Sequence, residues 1–274
     1  MSANLNSNAG SNTGSNTGSS TGSSTGSNTG SSPVFVSKEA TMRLLRDVRE
    51  VMTCPEPGIY YKHSETDMLR GYALIIGPPD SLYHGGYYFF KFKFPPDYPH
   101  SPPVLEFLTN DGETRMHPNM YKNRKVCVSI LNTWRGEQWS GCQTIKSVLL
   151  TLMSLLDSKP LLHEPGITEK NPDYEAYHRI IQYKAFEFCM LRMLKSADAF
   201  KQIIADIEHH EQFYEHMCDE FRKHHPQHLE RLAALMNQYP CSEIIRTTNV
   251  YQITAVVQYA GLMPVFHECV ARLS

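Results

Sequence analysis

The chain has 274 residues, a net charge of −2 from 26 basic and 28 acidic side chains, and a hydrophobic fraction of 41%. It has no basic surplus to neutralise phosphates, which argues against nucleic-acid binding, and no apolar run of membrane-spanning length or signal-peptide type. The seven cysteines form no CxxC pair and are odd in number, which is typical of free thiols in a reducing compartment, so we expect the cytosol or the nucleus.

The first part of the chain has the composition of a flexible tail. Near-repeats of SNTG and SSTG fill residues 7–32, where Ala9 is the sole apolar side chain. Such a segment cannot bury enough apolar surface to offset the entropy of ordering its backbone. We predict three regions: a disordered tail over 1–36, a main domain over 37–195 and a helical extension over 196–274.

The main domain is predicted to start with one helix and a four-stranded sheet. Apolar residues recur at helical spacing after Ser37, a candidate helix cap, until Pro55 interrupts the pattern. Four strand-like runs follow, at 59–62, 69–76, 87–94 and 104–108. Their short connections, rich in glycine and proline, favour an antiparallel meander with one buried face.

Helices are predicted for the rest of the chain. A proline-rich segment, FPPDYPHSPP at 94–103, marks a rigid crossover, because proline cannot donate to a sheet ladder. A helix from about Thr144 carries an apolar stripe that we expect to cover the sheet, and beyond Pro172 the pattern is helical to the last residues. One helix, a meander and then helices predict the α+β class.

The segment HPNMYKNRKVCVSILNTW, residues 117–134, contains the candidate reactive residue, Cys127. This cysteine begins an apolar run, CVSIL, that alternates as a strand does. It could be inert packing, because free cysteines are among the most buried residues. However, the polar and basic loop at 120–125 favours an exposed thiol with thiolate character. In the rigid turn just before it, Asn119 offers a carboxamide, a neutral donor suited to a developing oxyanion.

The residues around Cys127 favour acyl carriage over hydrolysis. A cysteine hydrolase needs a base paired to the thiol and a group that orients this base. The one nearby histidine in the sequence, His117, is held in a proline-locked turn. Exchange between thioesters needs less, because a thiolate leaves about as easily as it attacks.

These motifs together resemble those of the ubiquitin-conjugating enzymes. The turn His117-Pro118-Asn119, Cys127 and the segment from Trp134 to Trp139 stand in the order and spacing of that family, and the similarity extends over about 37–192. The resemblance implies the UBC fold, here with a helical C-terminal extension. Three segments are similar to the large-type subgroup that works with the alternative ubiquitin-activating enzyme: GPPDSLYHGGYYFF, KVCVSILNTWRGEQWS and HEPG.

The resemblance also implies a role for each site residue. Cys127 would accept ubiquitin, or a ubiquitin-like protein, as a thioester from an activating enzyme and pass it to a substrate lysine. ATP is used by the activating enzyme, so no cofactor is expected here. Asn119 would stabilise the oxyanion, and Glu164 of HEPG would orient the lysine, with a solvated loop carboxylate as its alternative interpretation. His163 is a weaker candidate, and four residues would support the active-site loop: His117, Pro118, Trp134 and Trp139.

Partner contacts are implied in the same way. Arg43 and Arg46 match the helix that the family presents to the activating enzyme, although a solvated basic face is the plainer interpretation. His100 and Gly141 stand at positions that contact RING-type ligases, where the family more often has phenylalanine and proline. Both replacements remove apolar contact, which disfavours ordinary RING partners. The expected partners are ubiquitin or a ubiquitin-like protein, an activating enzyme, a ligase and protein substrates, with no nucleic acid and no membrane.

Two other functions and one further type of site compete with this interpretation. A non-catalytic module of the same fold would hold ubiquitin without a reactive cysteine, and this chain has the cysteine. A cysteine hydrolase is the more distant alternative. The histidines between 209 and 228 and the nearby Cys218 have a spacing that fits no established ligand pattern, so we predict no metal site.

Overall fold

The computed structural model describes residues 35–273, so the predicted tail lies outside the described residues except for its last two positions. The predicted order of one helix, a four-stranded sheet and further helices is confirmed. The helices are α1 (Lys38–Thr53), α2 (Ile145–Leu155), α3 (Tyr174–Phe186), α4 (Ala197–Ile203), α5 (His210–Gln238) and α6 (Leu262–Leu273). The strands are β1 (Ile59–His63), β2 (Arg70–Ile76), β3 (Tyr87–Lys93), β4 (Val104–Phe107), β5 (Glu243–Arg246) and β6 (Thr254–Val257).

Helix α1 is capped as predicted and is joined to the proline-rich segment. The Ser37 hydroxyl accepts a hydrogen bond from the Ala40 N–H at 3.0 Å. About two turns after Ala40, Asp47 is fully buried, and its carboxylate accepts from the Tyr98 hydroxyl at 2.6 Å and from Arg43 at 2.8 Å. A buried carboxylate is stable only when such donors surround it, so this network fixes α1 against the segment that precedes β4.

The sheet is an antiparallel meander in the order β1-β2-β3-β4, but both of its faces are buried. In β3, Tyr88 and Phe90 point to one face and Phe89 to the other, and none is more than 1% exposed. The ring of Phe89 packs against Phe200 of α4 and Phe213 of α5, with ring centres 5.1 Å and 5.5 Å apart. The prediction of one buried face was therefore wrong, since α4 and α5 cover the second face. The unbroken aromatic run YYFF already indicated burial on both sides.

The residues after 196 are helical except for one β-hairpin, which was not predicted from the sequence. Strands β5 and β6 pair antiparallel, with Ile245 opposite Ala255. Their sequences, EIIR and TAVV, are rich in β-branched residues, and β6 buries every second side chain, whereas Ile245 is the one buried side chain of β5. No helix among residues 35–273 is long and apolar enough to cross a membrane. The domain boundary at 195 stays a prediction.

The loop that connects β5 to β6 is anchored on the first residue before α3. Asp173 is 4% exposed, and its carboxylate accepts from the backbone N–H groups of Thr248 at 3.0 Å, Asn249 at 2.6 Å and Val250 at 2.7 Å. Burial by itself raises the pKa of Asp173, but these donors outweigh it and hold the pKa below the ordinary value of an aspartate. The carboxylate therefore fixes this loop, residues 247–253, against the main domain.

Replacing Asp173 by alanine is expected to lower the free energy of unfolding by roughly 2–4 kcal/mol, because three N–H groups lose a charged acceptor. Urea denaturation measures this loss. Because the pKa of Asp173 is lowered in the folded state, its contribution to the free energy of unfolding depends on pH. The contribution is present above about pH 4 and is lost as the pH falls through the lower folded-state pKa. The matched control is Glu175→Ala, which removes an exposed carboxylate from the same helix turn and should cost less than about 0.5 kcal/mol. Equal losses in the two variants would contradict the anchoring role.

Candidate active site

The His117-Pro118-Asn119 turn is buried and is held by its own hydrogen bonds. His117 is fully buried, and its Nδ1 accepts from the Asn119 N–H at 3.0 Å. Burial lowers the pKa of His117 to about 3, so the ring is neutral at physiological pH. From outside, the guanidinium of Arg115 donates to the carbonyl oxygens of His117 at 3.2 Å and Pro118 at 2.5 Å. His117 is thus a structural member of the turn and not a base.

Two hydrogen bonds join this turn to Cys127. The Cys127 N–H donates to the Asn119 carbonyl at 2.9 Å, and the Asn119 Nδ2 donates to the Cys127 carbonyl at 2.5 Å. Asn119 is 4% exposed, and its Oδ1 has no hydrogen-bond partner among residues 35–273. One N–H of the carboxamide therefore supports the cysteine loop, and the second N–H is left for another acceptor.

Cys127 itself is 3% exposed and lies outside any strand. The prediction of an exposed thiol at the head of a strand was wrong on both points. The backbone turns into a short 3₁₀ helix, Ser129–Leu131, that ends at Asn132 in the left-handed conformation, with φ of 58°. The Thr133 hydroxyl accepts from the Val128 N–H at 2.9 Å, so a backbone group that would pair in a sheet is bonded locally.

The two tryptophans that were predicted to support this loop differ in their environments. Trp139 is buried, and its Nε1 donates to the carbonyl of Pro99 at 2.7 Å. Its backbone N–H donates to the Asn132 Oδ1 at 2.8 Å, which fixes the end of the loop. Trp134 is half-buried and lines a surface pocket with Pro165. A supporting role is thus visible in the contacts of Trp139, and for Trp134 it stays a prediction.

Glu164 and His163 lie at the end of another 3₁₀ helix, Pro160–His163. The ring of His163 is 5.1 Å from that of His117, and its Nε2 is 2.9 Å from the Asp157 carboxylate. Burial raises the pKa of Asp157, but the hydrogen bonds from His163 and a backbone N–H outweigh it and lower the pKa. Glu164 is half-exposed and accepts a hydrogen bond from the hydroxyl of Tyr251. The HEPG motif is therefore next to the histidine turn.

Sequence reasoning missed two residues at this site, Arg115 and Tyr251. The Arg115 guanidinium lies over the ring of Tyr121 at 3.5 Å and over that of Tyr251 at 4.9 Å. Arg115 had a weak signal, since it lies two residues before the histidine turn. Tyr251 had none, because it is 87 residues from its partner Glu164 in the chain.

The predicted partner-contact residues are not equally available. Arg43 uses its guanidinium within the chain, on Asp47 and on the carbonyl oxygens of Gly141 at 2.5 Å and Gln143 at 2.6 Å. Its guanidinium therefore joins α1 to the loop before α2, and its contact with a partner stays a prediction. The side chain of Arg46 is 68% exposed, and His100 and Gly141 are exposed as well. Their partner contacts stay predictions.

The histidines between 209 and 228 lie at the start of α5 and along it. His228 and His84 pack with their ring centres 5.2 Å apart, and burial lowers their pKa values to about 3 and about 4. No group of three or more histidine, cysteine or acidic side chains with a metal-binding arrangement occurs within residues 35–273.

Comparison with known proteins places the site in a family. The family model described as "Ubiquitin-conjugating enzyme" matches residues 43–185, which is about half of the chain and includes the histidine turn, the cysteine and the HEPG loop. "Ubiquitin-conjugating enzyme E2 Z" of Xenopus tropicalis is 35% identical over 191 residues, which cover 66% of this chain and 61% of that protein. The Homo sapiens protein of the same name is 38% identical over 160 residues, or 57% of this chain and 45% of that one.

A solved structure of human Ubiquitin-conjugating enzyme E2 G1 aligns at 35% identity over 43% of this chain and 93% of that chain, with a TM-score of 0.39. The chain spans less than two thirds of the length of the two curated relatives, 61% and 45%. The family model nevertheless matches half of the chain and contains every catalytic position that the sequence predicts. The chain belongs to the ubiquitin-conjugating enzyme family.

Proposed function

We propose that the chain accepts ubiquitin, or a ubiquitin-like protein, on Cys127 as a thioester and transfers it to a lysine. The observation that carries this proposal is the pair of hydrogen bonds between Asn119 and Cys127. These bonds hold the carboxamide of Asn119 against the backbone of Cys127. The adjacent HEPG loop supplies a carboxylate, Glu164, and the family assignment supplies the reaction class.

The chemistry needs two acyl transfers at one sulfur. In the first, the Cys127 thiolate attacks the thioester carbonyl on the activating enzyme; a new C–S bond forms, the old one breaks, and the activating enzyme leaves as a thiolate. In the second, a lysine amine attacks the Cys127 thioester, a C–N bond forms and the thiolate of Cys127 leaves. The amine must lose a proton in this step, and Glu164 would receive it before it passes to water. Asn119 would donate its second N–H to the oxyanion.

The partners follow from this reaction. An activating enzyme supplies the modifier, uses the ATP and would contact the helix that carries Arg46. A substrate supplies the lysine, and a ligase would bring substrate and modifier together through a surface that includes His100 and Gly141. This chain requires no cofactor for these steps. The free thiols favour the cytosol or the nucleus as the place of the reaction.

The test is a charging assay with the purified chain. The chain is incubated with ubiquitin, ATP and the ubiquitin-activating enzymes, tested one at a time, and is then run on a non-reducing gel. A band shifted by one ubiquitin that disappears with a thiol reductant supports the proposal. The absence of a shifted band with every activating enzyme and each ubiquitin-like protein would refute it.

One observation favours a second function, a module that binds ubiquitin without catalysis. Cys127 is 3% exposed, and a buried thiol cannot attack a bulky thioester unless the residues that bury it move. The same charging assay separates the two functions, because a binding module retains ubiquitin in a pull-down but never forms the thiol-sensitive band.

A further inference from the structure

The loop between β5 and β6 places one tyrosine against the candidate catalytic carboxylate. Tyr251 lies at the tip of this loop in the left-handed conformation, with φ of 59°, and Gln252 follows at 50°. Side chains with a Cβ rarely adopt this backbone, so the rest of the loop must hold it there. The three N–H groups that donate to Asp173 come just before Tyr251 and provide that hold.

The side chain of Tyr251 contacts three residues of the main domain. Its hydroxyl donates to the Oε2 of Glu164, and its ring covers the guanidinium of Arg115 at 4.9 Å and packs edge-on against Tyr177 at 5.7 Å. Burial and the hydrogen bond to Glu164 raise the pKa of Tyr251, so the hydroxyl remains a donor throughout the physiological pH range. A residue of the C-terminal extension therefore contacts the proposed site directly.

We propose that Tyr251 is a positioning residue that holds Glu164 for the attack of the lysine amine, an inference that rests on the function proposed above. Glu164 is half-exposed and has three rotatable side-chain bonds, so it samples several rotamers unless it is held. The bond from Tyr251 fixes Oε2 and leaves Oε1 for the incoming amine. Holding a catalytic group in one geometry accelerates the step in which that group acts.

Tyr251 should affect only the transfer of ubiquitin to lysine and not the loading of Cys127. Loading exchanges one thioester for another and needs no proton acceptor for an amine, so Glu164 has no part in it. The same tyrosine ring also packs on Arg115, which donates to the carbonyls of His117 and Pro118. A substitution that keeps the ring and removes only the hydroxyl leaves this second contact in place.

The experiment uses the full chain with Tyr251→Phe, Glu164→Gln and the double variant. Each is charged with ubiquitin on Cys127, the activating enzyme is stopped, and the loss of the thioester is followed after addition of free lysine. We expect Tyr251→Phe to load normally and to discharge to lysine about five- to tenfold more slowly, which is the effect of losing one hydrogen bond of ordinary strength at a half-exposed site. The double variant should be no slower than Glu164→Gln alone, because the hydroxyl acts only through that carboxylate.

Two controls separate positioning from general damage. Tyr214→Phe removes a hydroxyl that donates to the Leu194 carbonyl at 3.1 Å, elsewhere in the extension, and should discharge at the wild-type rate. Hydroxylamine is uncharged at neutral pH and needs no carboxylate to lose a proton. Tyr251→Phe should therefore discharge to hydroxylamine as fast as the wild type does, whereas a distorted active-site loop would slow both nucleophiles.

The outcomes for the two proposals are distinct. A wild-type chain that never charges refutes the proposed function, and the role of Tyr251 falls with it. A chain that charges, and whose Tyr251→Phe variant discharges to lysine at the wild-type rate, refutes the positioning role and leaves the function standing. Equal slowing toward lysine and hydroxylamine, or a double variant slowed by the product of the two single effects, likewise overturns it.

Discussion

Cys127→Ala should form no thioester, with a loss of charging of roughly a thousandfold or more, because the substitution removes the only atom that carries the acyl group. The measurement is the thiol-sensitive band on a non-reducing gel after incubation with ubiquitin, ATP and an activating enzyme. The surrounding fold should survive, since Cys127 bonds to Asn119 through backbone groups that alanine keeps.

Cys127→Ser tests the chemistry of the bond itself. If this variant loads, its oxygen ester should resist a thiol reductant and should be released by mild base, because an alkoxide leaves less readily than a thiolate. A charged adduct that remains sensitive to reductant in Cys127→Ser would show that another cysteine carries ubiquitin.

The other cysteines offer matched controls that differ in exposure. Cys54, Cys142 and Cys241 are exposed, whereas Cys127 is buried. Cys142 is the principal competitor because it lies in the loop that follows, yet Cys142→Ala is expected to charge normally. An alkylating agent at low dose should modify the three exposed thiols first and leave charging intact. A band that persists in Cys127→Ala and vanishes in Cys142→Ala would overturn the assignment.

The burial of Cys127 has to be reconciled with a reactive role. The loop after it folds back on the 3₁₀ helix: a Cβ on Gly136 would lie 3.0 Å from that of Ser129. Most side chains of 132–138 are exposed, so this loop has little buried surface to hold it closed. Because Cys127 is 3% exposed, attack on a bulky thioester requires the residues that bury it to move.

The sequence predicted the local part of this molecule well. The order of α1, the four strands of the meander and α2 follows from periodicity and from prolines and glycines, which act within a few residues. The pairing of Asn119 with Cys127 was predicted from their closeness in the sequence and from the family resemblance. Their hydrogen bonds span eight positions and would not follow from periodicity alone.

Contacts between distant segments could not be predicted in this way. The burial of Phe89 depends on α4 and α5, which come more than a hundred positions later in the chain. The bond from Tyr251 to Glu164 depends on a hairpin whose strands are four residues each, too short for a firm periodic signal. Similarly, the hydrogen bond from Arg43 to the carbonyl of Gly141 joins residues that are 98 positions apart, so the sequence predicted a solvated arginine where the structure has a bonded one.

Asn119→Ala should slow the transfer of ubiquitin to lysine by roughly a hundredfold. This is the usual loss of rate when one donor to an oxyanion is removed. The substitution also removes the hydrogen bond to the Cys127 carbonyl, so loading should fall as well, but only by a few fold. The measurement is the ratio of the two rates, discharge to free lysine and charging by the activating enzyme, for the variant and the wild type.

A matched variant distinguishes an oxyanion donor from a simple support. Thr133→Val removes the hydroxyl that accepts from the Val128 N–H, and so it loosens the same cysteine loop from its other side without touching the carboxamide. If Asn119 acts on the oxyanion, Thr133→Val should reduce loading and discharge equally and by much less than a hundredfold. A Thr133→Val variant with the same selective loss of discharge as Asn119→Ala would assign the carboxamide a purely structural role, because loop mobility alone would then account for both.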